Sequence, residues 1–520
     1  MAAEIYTKKQ LISLLFKHQD GIVISAIINE LSKKGVFELI EQNDNISLEQ
    51  LSSIDPCFNK GYLNVAIRSL ASQGILSYTV TKDTIFIEKT SKYNSFKEFI
   101  HLYEKFSVLY KYHSIMLKKP ISNPININKS ILSLAKEYKI LKGVYANNPY
   151  FKNEISVHIE GLIIIPILTY LNFRSDSLGY ENTISYLDDT DINSLLETLD
   201  LKDNNSLTQK GEFLMSKSYA YGVTVSYFPI MNNISDYLYG DFKPYFQYDK
   251  KGKEKHVIRA LNVWGSGGAH ATYFKKFDDI IIDIFNKPID EQPKGIIDVG
   301  CGNGALLTHI FNLIWSKTKR REDLHHNKLI LIGADYNKEA LLSTKQNFKK
   351  ANIHAEVIWG DIGNPKEIDK LLNDNYQISL KDLLNVRSFL DHNRPFNAPK
   401  KEIDSSIIAT GAFAYRGKHI NNANVEQSLV EHLEKWKPYI DKYGLLMIEL
   451  HTVRPNIVSM NLGKTPCTAY DVTHGFSDQY IVGIHTFNRA IKKAGLKIDN
   501  KHNYVFPNTE TPTISINLIQ

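Results

Sequence analysis

The sequence predicts an α/β chain whose second half forms an open, mostly parallel sheet and whose first half is a winged-helix and helical region. Three observations lead to this prediction. The stretch 295–307 has the pattern of an apolar strand, a glycine-rich turn and the start of a helix. Four further apolar runs follow it, each ending in polar residues. Helical periodicity within the first 95 residues ends in a hairpin pattern.

The composition indicates a soluble protein that works inside a cell. The chain has 520 residues, 43% hydrophobic and 23% charged, which allows a sizeable core. The net charge of +6 is spread along the sequence without a dense basic arm, so nucleic acid is not an expected partner. Three distant cysteines fit a reducing compartment, and we find no signal-peptide pattern or long uninterrupted apolar run. We expect a cytoplasmic protein with no membrane partner.

A winged-helix domain is expected at residues 1–95. Ser47 begins a capping-box pattern, Ser-Leu-Glu-Gln, that opens a helix, and a third helix stops at Gly74. Two strands joined through Lys82-Asp83 then complete the wing. Such a module on its own favours DNA binding, but its third helix offers few phosphate contacts. Residues 96–256 are expected to be helical, as a lid over a substrate.

The glycine-rich turn is the centre of the predicted site. Gly300, Gly302 and Gly304 let the backbone approach a ligand closely, and the helix behind them offers unpaired N–H groups. The spacing G-x-G-x-G differs from the dinucleotide fingerprint G-x-G-x-x-G. Asp298 lies inside the motif, where its carboxylate would repel a pyrophosphate but attract a cationic amino-acid group.

Polar residues at the ends of the later apolar runs complete this site. In open parallel sheets, ligands bind beyond the carboxyl ends of the strands. The residues expected there are Asp335 after the second strand, Asp361 and Ile362 after the third, and Asn385 in a fourth strand at 382–386. A fifth strand is expected at 445–451.

The motif Asp298-Val-Gly-Cys-Gly-Asn-Gly304, followed by these strand ends in order, resembles that of class I S-adenosylmethionine-dependent methyltransferases. The resemblance implies a Rossmann-like domain at 257–520 with a seven-stranded, mostly parallel sheet, and S-adenosylmethionine as cofactor. It implies that Asp335 binds the ribose hydroxyls and that Asp361 faces the adenine. Winged-helix modules precede many small-molecule methyltransferases, where they dimerise and wall the substrate pocket. A homodimer is therefore one open alternative.

Two insertions, at 387–423 and 452–480, follow the fourth and fifth strands. Three candidate histidines, His392, His451 and His474, lie in or beside them, with carboxylates and an amide close by. One histidine acting as general base would suffice for a metal-independent O-methyltransferase of a hydroxylated small molecule. Histidine with carboxylate or amide oxygens would also suit a mononuclear divalent metal such as iron or manganese.

Segments of these insertions resemble the iron-dependent C-methyltransferases of loading modules in bacterial polyketide synthases. The segments are 387–395, 449–453 and 469–480. The resemblance implies methylation of a malonyl α-carbon on an acyl carrier protein, with His451 and Gln479 as metal ligands. A small-molecule acyl substrate is the alternative partner.

The catalytic group expected from this chemistry is a histidine base, either His392 or His474. Asp391 is expected to orient an imidazole. Arg387 and Arg394 would bind a substrate carboxylate or, equally, form structural ion pairs. A third reading of the whole chain is a winged-helix DNA-binding regulator that uses S-adenosylmethionine as an effector.

Overall fold

The computed structural model describes residues 5–81, 84–119, 127–178, 190–203, 206–249, 253–401, 403 and 410–520. The predicted turn at Lys82-Asp83 lies outside these residues. The described chain is an alternation of helices and short strands.

The first half of the chain is mainly helical. Its helices are α1 (Lys8–Lys33), α2 (Val36–Gln42), α3 (Leu48–Ser52), α4 (Lys60–Ser72), α5 (Tyr93–Lys97), α6 (Ile100–Phe106), α7 (Leu109–Leu117), α8 (Lys129–Val144), α9 (Ser156–Leu178), α10 (Thr190–Thr198), α11 (Gln209–Ser216), α12 (Gly222–Ser226), α13 (Phe228–Met231), α14 (Ile234–Leu238) and α15 (Arg259–Phe285). Its strands are β1 (Asn45–Ser47), β2 (Leu76–Val80), β3 (Ile85–Lys89), β4 (Lys202–Asp203) and β5 (Ser206–Leu207).

The second half alternates strands with helices, as a parallel sheet requires. Its strands are β6 (Gly295–Val299), β7 (Ile330–Asp335), β8 (Glu356–Trp359), β9 (Leu383–Ser388), β10 (Phe413–Tyr415), β11 (Lys418–Ile420), β12 (Leu445–Leu450), β13 (Ile498–Phe506) and β14 (Ile514–Ile519). Its helices are α16 (Ala305–Lys317), α17 (Arg320–Asp323), α18 (Lys338–Lys350), α19 (Pro365–Tyr376), α20 (Asn422–Ile440), α21 (Pro455–Met460), α22 (Cys467–Gly475) and α23 (Ile484–Lys493).

The chain divides into two compact units. The first unit comprises Met1–Ala269, Ala412–His419 and Arg454–Asp478. The second unit comprises His270–Gly411, Ile420–Val453 and Gln479–Gln520. The helix α22, in the insertion that follows β12, therefore belongs to the first unit and not to the unit that contains the large sheet.

The large sheet has seven strands in the order β13-β14-β12-β9-β6-β7-β8. The pairs from β12 through β8 are parallel, and β14 runs antiparallel to β12 and β13. The expected seven-stranded, mostly parallel sheet is thus confirmed. The chain builds β6, β7 and β8 outward and then returns with β9 on the other side of β6. Ligands of such sheets bind at this reversal, beyond the carboxyl ends of β6 and β9.

The first unit is built around two long helices, α1 and α9, that pack against each other. Both have the length and hydropathy of membrane-spanning helices, but most of each is buried inside the fold, as is typical of core helices. Around them lie α3, α4 and the antiparallel sheet β1-β3-β2. The winged-helix domain expected at residues 1–95 stays a prediction. The predicted capping box at Ser47 is present, and Gly74 has the left-handed conformation (φ 74°) expected after a helix.

Candidate functional site

The glycine turn between β6 and α16 leaves room for a ligand against its backbone. Gly300, Gly302 and Gly304 have φ values of 84°, 57° and 78°, which favour glycine. A Cβ added to Gly302 would meet no atom within 4 Å, so the space beside this residue is open. At Gly300, by contrast, an added Cβ would lie 2.7 Å from Leu390, which closes the other side of the turn.

Asp298 supplies an uncompensated acid at this turn. The residue is 1% exposed, and its Oδ1 has no hydrogen-bond partner among the described residues. Burial raises the pKa of the Asp298 carboxyl to about 7, and the charge of Asp335 adds to this shift. A bound cation would stabilise the ionised carboxylate, so the site fits a ligand with a positive group.

Asp335 is the last residue of β7, the strand that neighbours β6, and its carboxylate fixes the glycine turn by a hydrogen bond. Its Oδ2 accepts a hydrogen bond from the backbone N–H of Gly302 at 3.0 Å, and its Oδ1 accepts one from Asn337 at 2.8 Å. The carboxylate therefore lies at the carboxyl end of the sheet, beside the glycine turn. This is the position expected of a group that binds ribose hydroxyls.

Two aromatic residues next to Asp335 were missed by the sequence analysis. The rings of Tyr336 and Trp359 contact each other with centroids 5.5 Å apart, and both side chains are exposed. They follow Asp335 and end β8, respectively, so they border the same end of the sheet. An exposed aromatic residue at each of two adjacent strand ends was the available signal, since flat rings suit the stacking of a base.

Helix α18 fixes the carbonyl groups of the glycine turn. The Thr344 hydroxyl donates to the carbonyl of Gly302 at 2.8 Å, and the Asn347 amide donates to that of Asn303 at 2.9 Å. Thr344 is fully buried. Because the carbonyl groups are held on this side, the direction of the intervening N–H groups is set before any ligand binds.

The third strand end has the expected residues, Asp361 and Ile362. Asp361 accepts a hydrogen bond from the backbone N–H of Gly363 at 2.7 Å, which shapes the turn after β8. Ile362 is buried, and its carbonyl accepts a hydrogen bond from the Trp436 indole at 2.9 Å. Their contacts with a cofactor stay a prediction.

Asn385 does not lie where the sequence analysis placed it. The fourth strand, β9, continues to Ser388, so Asn385 is an internal residue and not a strand end. Its side chain is fully buried, and its Nδ2 donates to the carbonyls of Leu380 and Leu383, before and at the start of the strand. The apolar pattern predicts that the strand ends near Asn385, but the side chain satisfies backbone groups at the opposite end of β9.

His392 and Glu449 form a buried pair at the carboxyl ends of β9 and β12. Nδ1 of His392 lies 2.5 Å from Oε1 of Glu449. Oε2 of Glu449 also accepts the backbone N–H groups of Asp391 at 2.9 Å and His392 at 3.3 Å, while Oε1 accepts that of Leu450 at 2.7 Å. Since the ionised carboxylate only accepts, Nδ1 carries the proton, and Nε2 becomes the basic nitrogen. The role of Glu449 was missed because its partner is distant in sequence.

Asp391 contacts an imidazole, that of His432. Its Oδ1 accepts from Nη1 of Arg387 at 2.8 Å and contacts Nε2 of His432 at 3.1 Å. Burial alone would raise the pKa of the Asp391 carboxyl, but Arg387, His432 and Arg394 outweigh it and hold that pKa below its usual range. His432 lies on α20, and no pattern in the sequence singled it out.

The two arginines are fully integrated into this buried cluster. Arg387 lies 3.8 Å from the ring centroid of Trp436. Arg394 donates to the carbonyls of Asp391 at 2.9 Å and Val425 at 3.1 Å. Both are at most 3% exposed. Of the two roles considered for Arg387, the geometry matches the structural ion pair, and carboxylate binding stays a prediction.

The backbone at Phe389 turns the chain toward Glu449. Phe389 has a φ of 54°, which is unfavourable for a bulky residue, and its N–H donates to the carbonyl of Ile448 at 2.8 Å. The short 3₁₀ turn Asp391–Asn393 follows immediately. The strained residue thus places His392 beside the end of β12, in keeping with the clustering of backbone strain at functional sites.

His451, one of the two residues expected to bind a metal, has protein partners at both ring nitrogens. Nδ1 of His451 contacts the carbonyl of Val482 at 3.2 Å, and Nε2 contacts Oγ of Ser515 at 2.7 Å. Burial lowers the pKa of His451 to about 4, so its imidazole is neutral. Gln479 is buried in the same unit. Among the described residues, no three His, Cys, Asp or Glu side chains are grouped so that they could hold an ion.

His474 belongs to the first unit, whereas His392, His451 and Gln479 belong to the second. It lies in α22, where Nδ1 contacts the carbonyl of Tyr470 at 2.8 Å and the ring packs against Tyr227. Its role as a base stays a prediction.

Comparison with family models covers most of this architecture. Residues 254–517 match the model described as AprA MT2-like domain, a methyltransferase family. Residues 11–78 match the AprA N-terminal domain, and residues 160–241 match the AprA winged helix domain. The family model for a winged-helix domain therefore matches a later part of the chain than the residues 1–95 expected from the sequence. The predicted domain boundaries stay a prediction.

Solved structures with a detectable likeness include methyltransferases. The CurJ carbon methyltransferase is 11% identical, over 98% of this chain and 95% of that chain, with a TM-score of 0.39. The mitomycin 7-O-methyltransferase MmcR is 10% identical, over 96% and 94%, with a TM-score of 0.29. The CMeT domain of the citrinin polyketide synthase is 12% identical, over 75% and 96%, with a TM-score of 0.30.

A search of the curated proteins finds no match. The family model, however, spans just over half of the chain, including the glycine turn, Asp298, Asp335 and the pair His392–Glu449. The chain belongs to the AprA MT2-like family and is an S-adenosylmethionine-dependent methyltransferase.

Proposed function

We propose that this protein is a cytoplasmic C-methyltransferase that methylates the α-carbon of a malonyl-type acyl unit carried by an acyl carrier protein. The observation that carries the proposal is the buried pair of His392 and Glu449 at the carboxyl ends of β9 and β12. The resemblance of segments 387–395, 449–453 and 469–480 to polyketide C-methyltransferases supports the substrate class.

The cofactor site fits the methyl donor. Asp298 offers an uncompensated carboxylate to its amino group, Asp335 offers acceptors to the ribose, and the open side of Gly302 admits it. When bound, S-adenosylmethionine supplies an electrophilic methyl group. The remaining requirement of the reaction is the removal of a proton from the α-carbon that accepts the methyl group.

His392 is suited to remove that proton. With Nδ1–H bound to Glu449, Nε2 can take the α-proton, and the carboxylate stabilises the imidazolium that forms. A carbon acid demands more of a base than an acidic hydroxyl does, so this stabilisation matters. Two backbone N–H groups hold Oε2 of Glu449 and prevent the pair from reorienting. A positioned general base contributes roughly a hundredfold to ten-thousandfold in rate.

The metal implied by the resemblance stays a prediction. Both ring nitrogens of His451 have protein partners, and we therefore derive no step from a metal. His451 and Gln479 stay predicted ligands, to be tested by chelation.

The test is the exchange of the α-proton and the mass of the product. Malonyl-loaded carrier protein is incubated with the enzyme in D₂O without S-adenosylmethionine, and then in water with it, each with ferrous iron and with chelator. We expect α-deuterium in the first case and a gain of methyl mass on the α-carbon in the second.

The matched variants are His392→Ala and His309→Gln. His309 is a partly exposed histidine paired with Asp278, so its loss should change neither result. Exchange that survives His392→Ala would contradict the proposed base. If malonyl-loaded carrier protein shows neither α-exchange nor a gain of methyl mass, while a hydroxylated small molecule is methylated, the O-methyltransferase alternative is supported.

A further inference from the structure

Two stretches of the first unit have the same sequence pattern. His18-Gln-Asp20-Gly21 in α1 and His158-Ile-Glu160-Gly161 in α9 each place an acid two residues after a histidine and a glycine directly after the acid. An apolar run follows each glycine, Ile-Val-Ile in α1 and Leu-Ile-Ile in α9. The two helices therefore share a short local pattern, which their packing can be compared with.

The two helices cross each other reciprocally at these glycines. A Cβ added to Gly21 would lie 2.4 Å from Cα of His158, and one added to Gly161 would lie 2.7 Å from Cα of His18. Each glycine therefore faces the histidine of the other helix. Contact of i with j, matched by contact of j with i, is the signature of a two-fold interface.

The helices α4 and α10, which follow in the first and the second repeat, end with the same backbone arrangement. α4 is followed by Gly74 and α10 by Asp200, with φ values of 74° and 57°. The next residues, Ile75 and Leu201, are buried, and each donates its N–H to the carbonyl five residues earlier, at 3.1 and 2.8 Å. A hairpin follows in both cases, β2-β3 and β4-β5.

Each repeat packs one more helix on its outside. α22 packs against α1 and α4, and α8 packs against α9 and α10 in the equivalent place. The equivalent acids lie below these helices. Asp20 accepts from Gln73 at 3.0 Å, which also binds Thr468 of α22 at 2.9 Å, and Glu160 accepts from Tyr138 of α8 at 3.1 Å.

We propose that the front half is a duplicated module whose two copies pair with each other within one chain, and that the protein acts as a monomer. The α1 surface that a self-pairing module would present to a second chain is covered by α9. In the second repeat, α8 covers the surface that corresponds to the one against which α22 packs in the first repeat. The pairing of the two copies is thus complete within one chain and does not require a second chain.

The two equivalent acids at the crossing have different partners. Glu160 pairs with Lys210 at 2.6 Å and with Nε2 of His18 at 3.2 Å. Its equivalent Asp20 is bound by an amide and not by a lysine. The contact of Glu160 with His18 therefore links α9 directly to α1 within the chain.

The first test is the mass of the full-length protein by sedimentation velocity at concentrations from about 1 to 100 μM. We expect one species of 59.4 kDa, and a specific activity that does not change with concentration. A stable dimer would overturn the proposal.

The second test compares Gly21→Ala, Gly161→Ala and Gly143→Ala. The first two place a Cβ on backbone atoms, so both should lower Tm by at least about 5 °C and by similar amounts. Gly143 lies in α8 with nothing within 4 Å of its Cβ position, so alanine there should not lower Tm. If Gly21→Ala and Gly161→Ala both fail to give soluble protein while Gly143→Ala keeps the Tm of the unchanged protein, the prediction is also confirmed. A large effect at only one crossing glycine would show that the crossing is not reciprocal and would refute the duplication.

Discussion

Nδ1 of His392 lies 2.5 Å from Oε1 of Glu449, in a pair buried at the carboxyl ends of two adjacent parallel strands. The histidine follows β9 and the glutamate lies in β12, and these strands pair directly. The contact therefore depends on the sheet order.

Removing the carboxylate of this pair should slow the reaction without weakening cofactor binding. Glu449→Gln keeps the shape but loses the charge that stabilises the imidazolium, so kcat should fall about a hundredfold to ten-thousandfold. Kd for S-adenosylmethionine, measured by calorimetry, should change less than about twofold. An unchanged kcat would contradict the role of Glu449 as partner of the base.

Asp335→Ala should weaken cofactor binding by more than about tenfold, because two ribose hydroxyls lose a charged acceptor. The Gly302 N–H would also lose its partner. Calorimetric titration with S-adenosylhomocysteine measures the effect. Asp290→Ala, at an exposed acid in the same unit, is the control and should bind normally. Equal affinity of the two variants would count against the site.

Cofactor affinity should depend on pH through Asp298. Its pKa in the free protein is raised to about 7 by burial, and a bound cation would keep it ionised. Affinity should therefore fall up to about tenfold per unit as the pH drops below 7, with proton release on binding. Calorimetry in two buffers of different ionisation enthalpy measures that release, and Asp298→Asn should abolish it.

The same residue should make the free protein less stable at high pH. A raised pKa in the folded state contributes stability below the unfolded value of 3.8, and this contribution is lost as the pH rises through about 7. Asp298→Asn should thus raise Tm at pH 8 more than at pH 5. An equal change in Tm at the two pH values would contradict this account.

Arg387→Gln should destabilise the fold, because it leaves the buried charge of Asp391 with less compensation. Breaking a buried pair costs about 3–5 kcal/mol of unfolding free energy. Lys401→Ala, which removes an exposed pair with Glu434, should cost less than about 1 kcal/mol. Denaturant unfolding measures both. If Arg387→Gln is stable but raises KM for the acyl substrate, Arg387 binds a carboxylate.

The sequence by itself determined the local parts of this protein. Apolar runs, the glycine turn and the caps are set by periodicity and backbone preference, so the sheet, Asp298, Asp335 and the helix that begins at Ser47 were predictable. His392 was also found, because a histidine after a strand end is a local signal.

Only the tertiary structure decided which of these parts meet. Glu449 faces His392 because β12 pairs with β9, and His432 reaches Asp391 from α20. Asn385 lies inside its strand because β9 runs two residues further than its apolar stretch. The insertion after β12 sends α22 to the first unit, where it packs against α1 and α4. These are contacts between residues far apart in sequence, and no local preference encodes them.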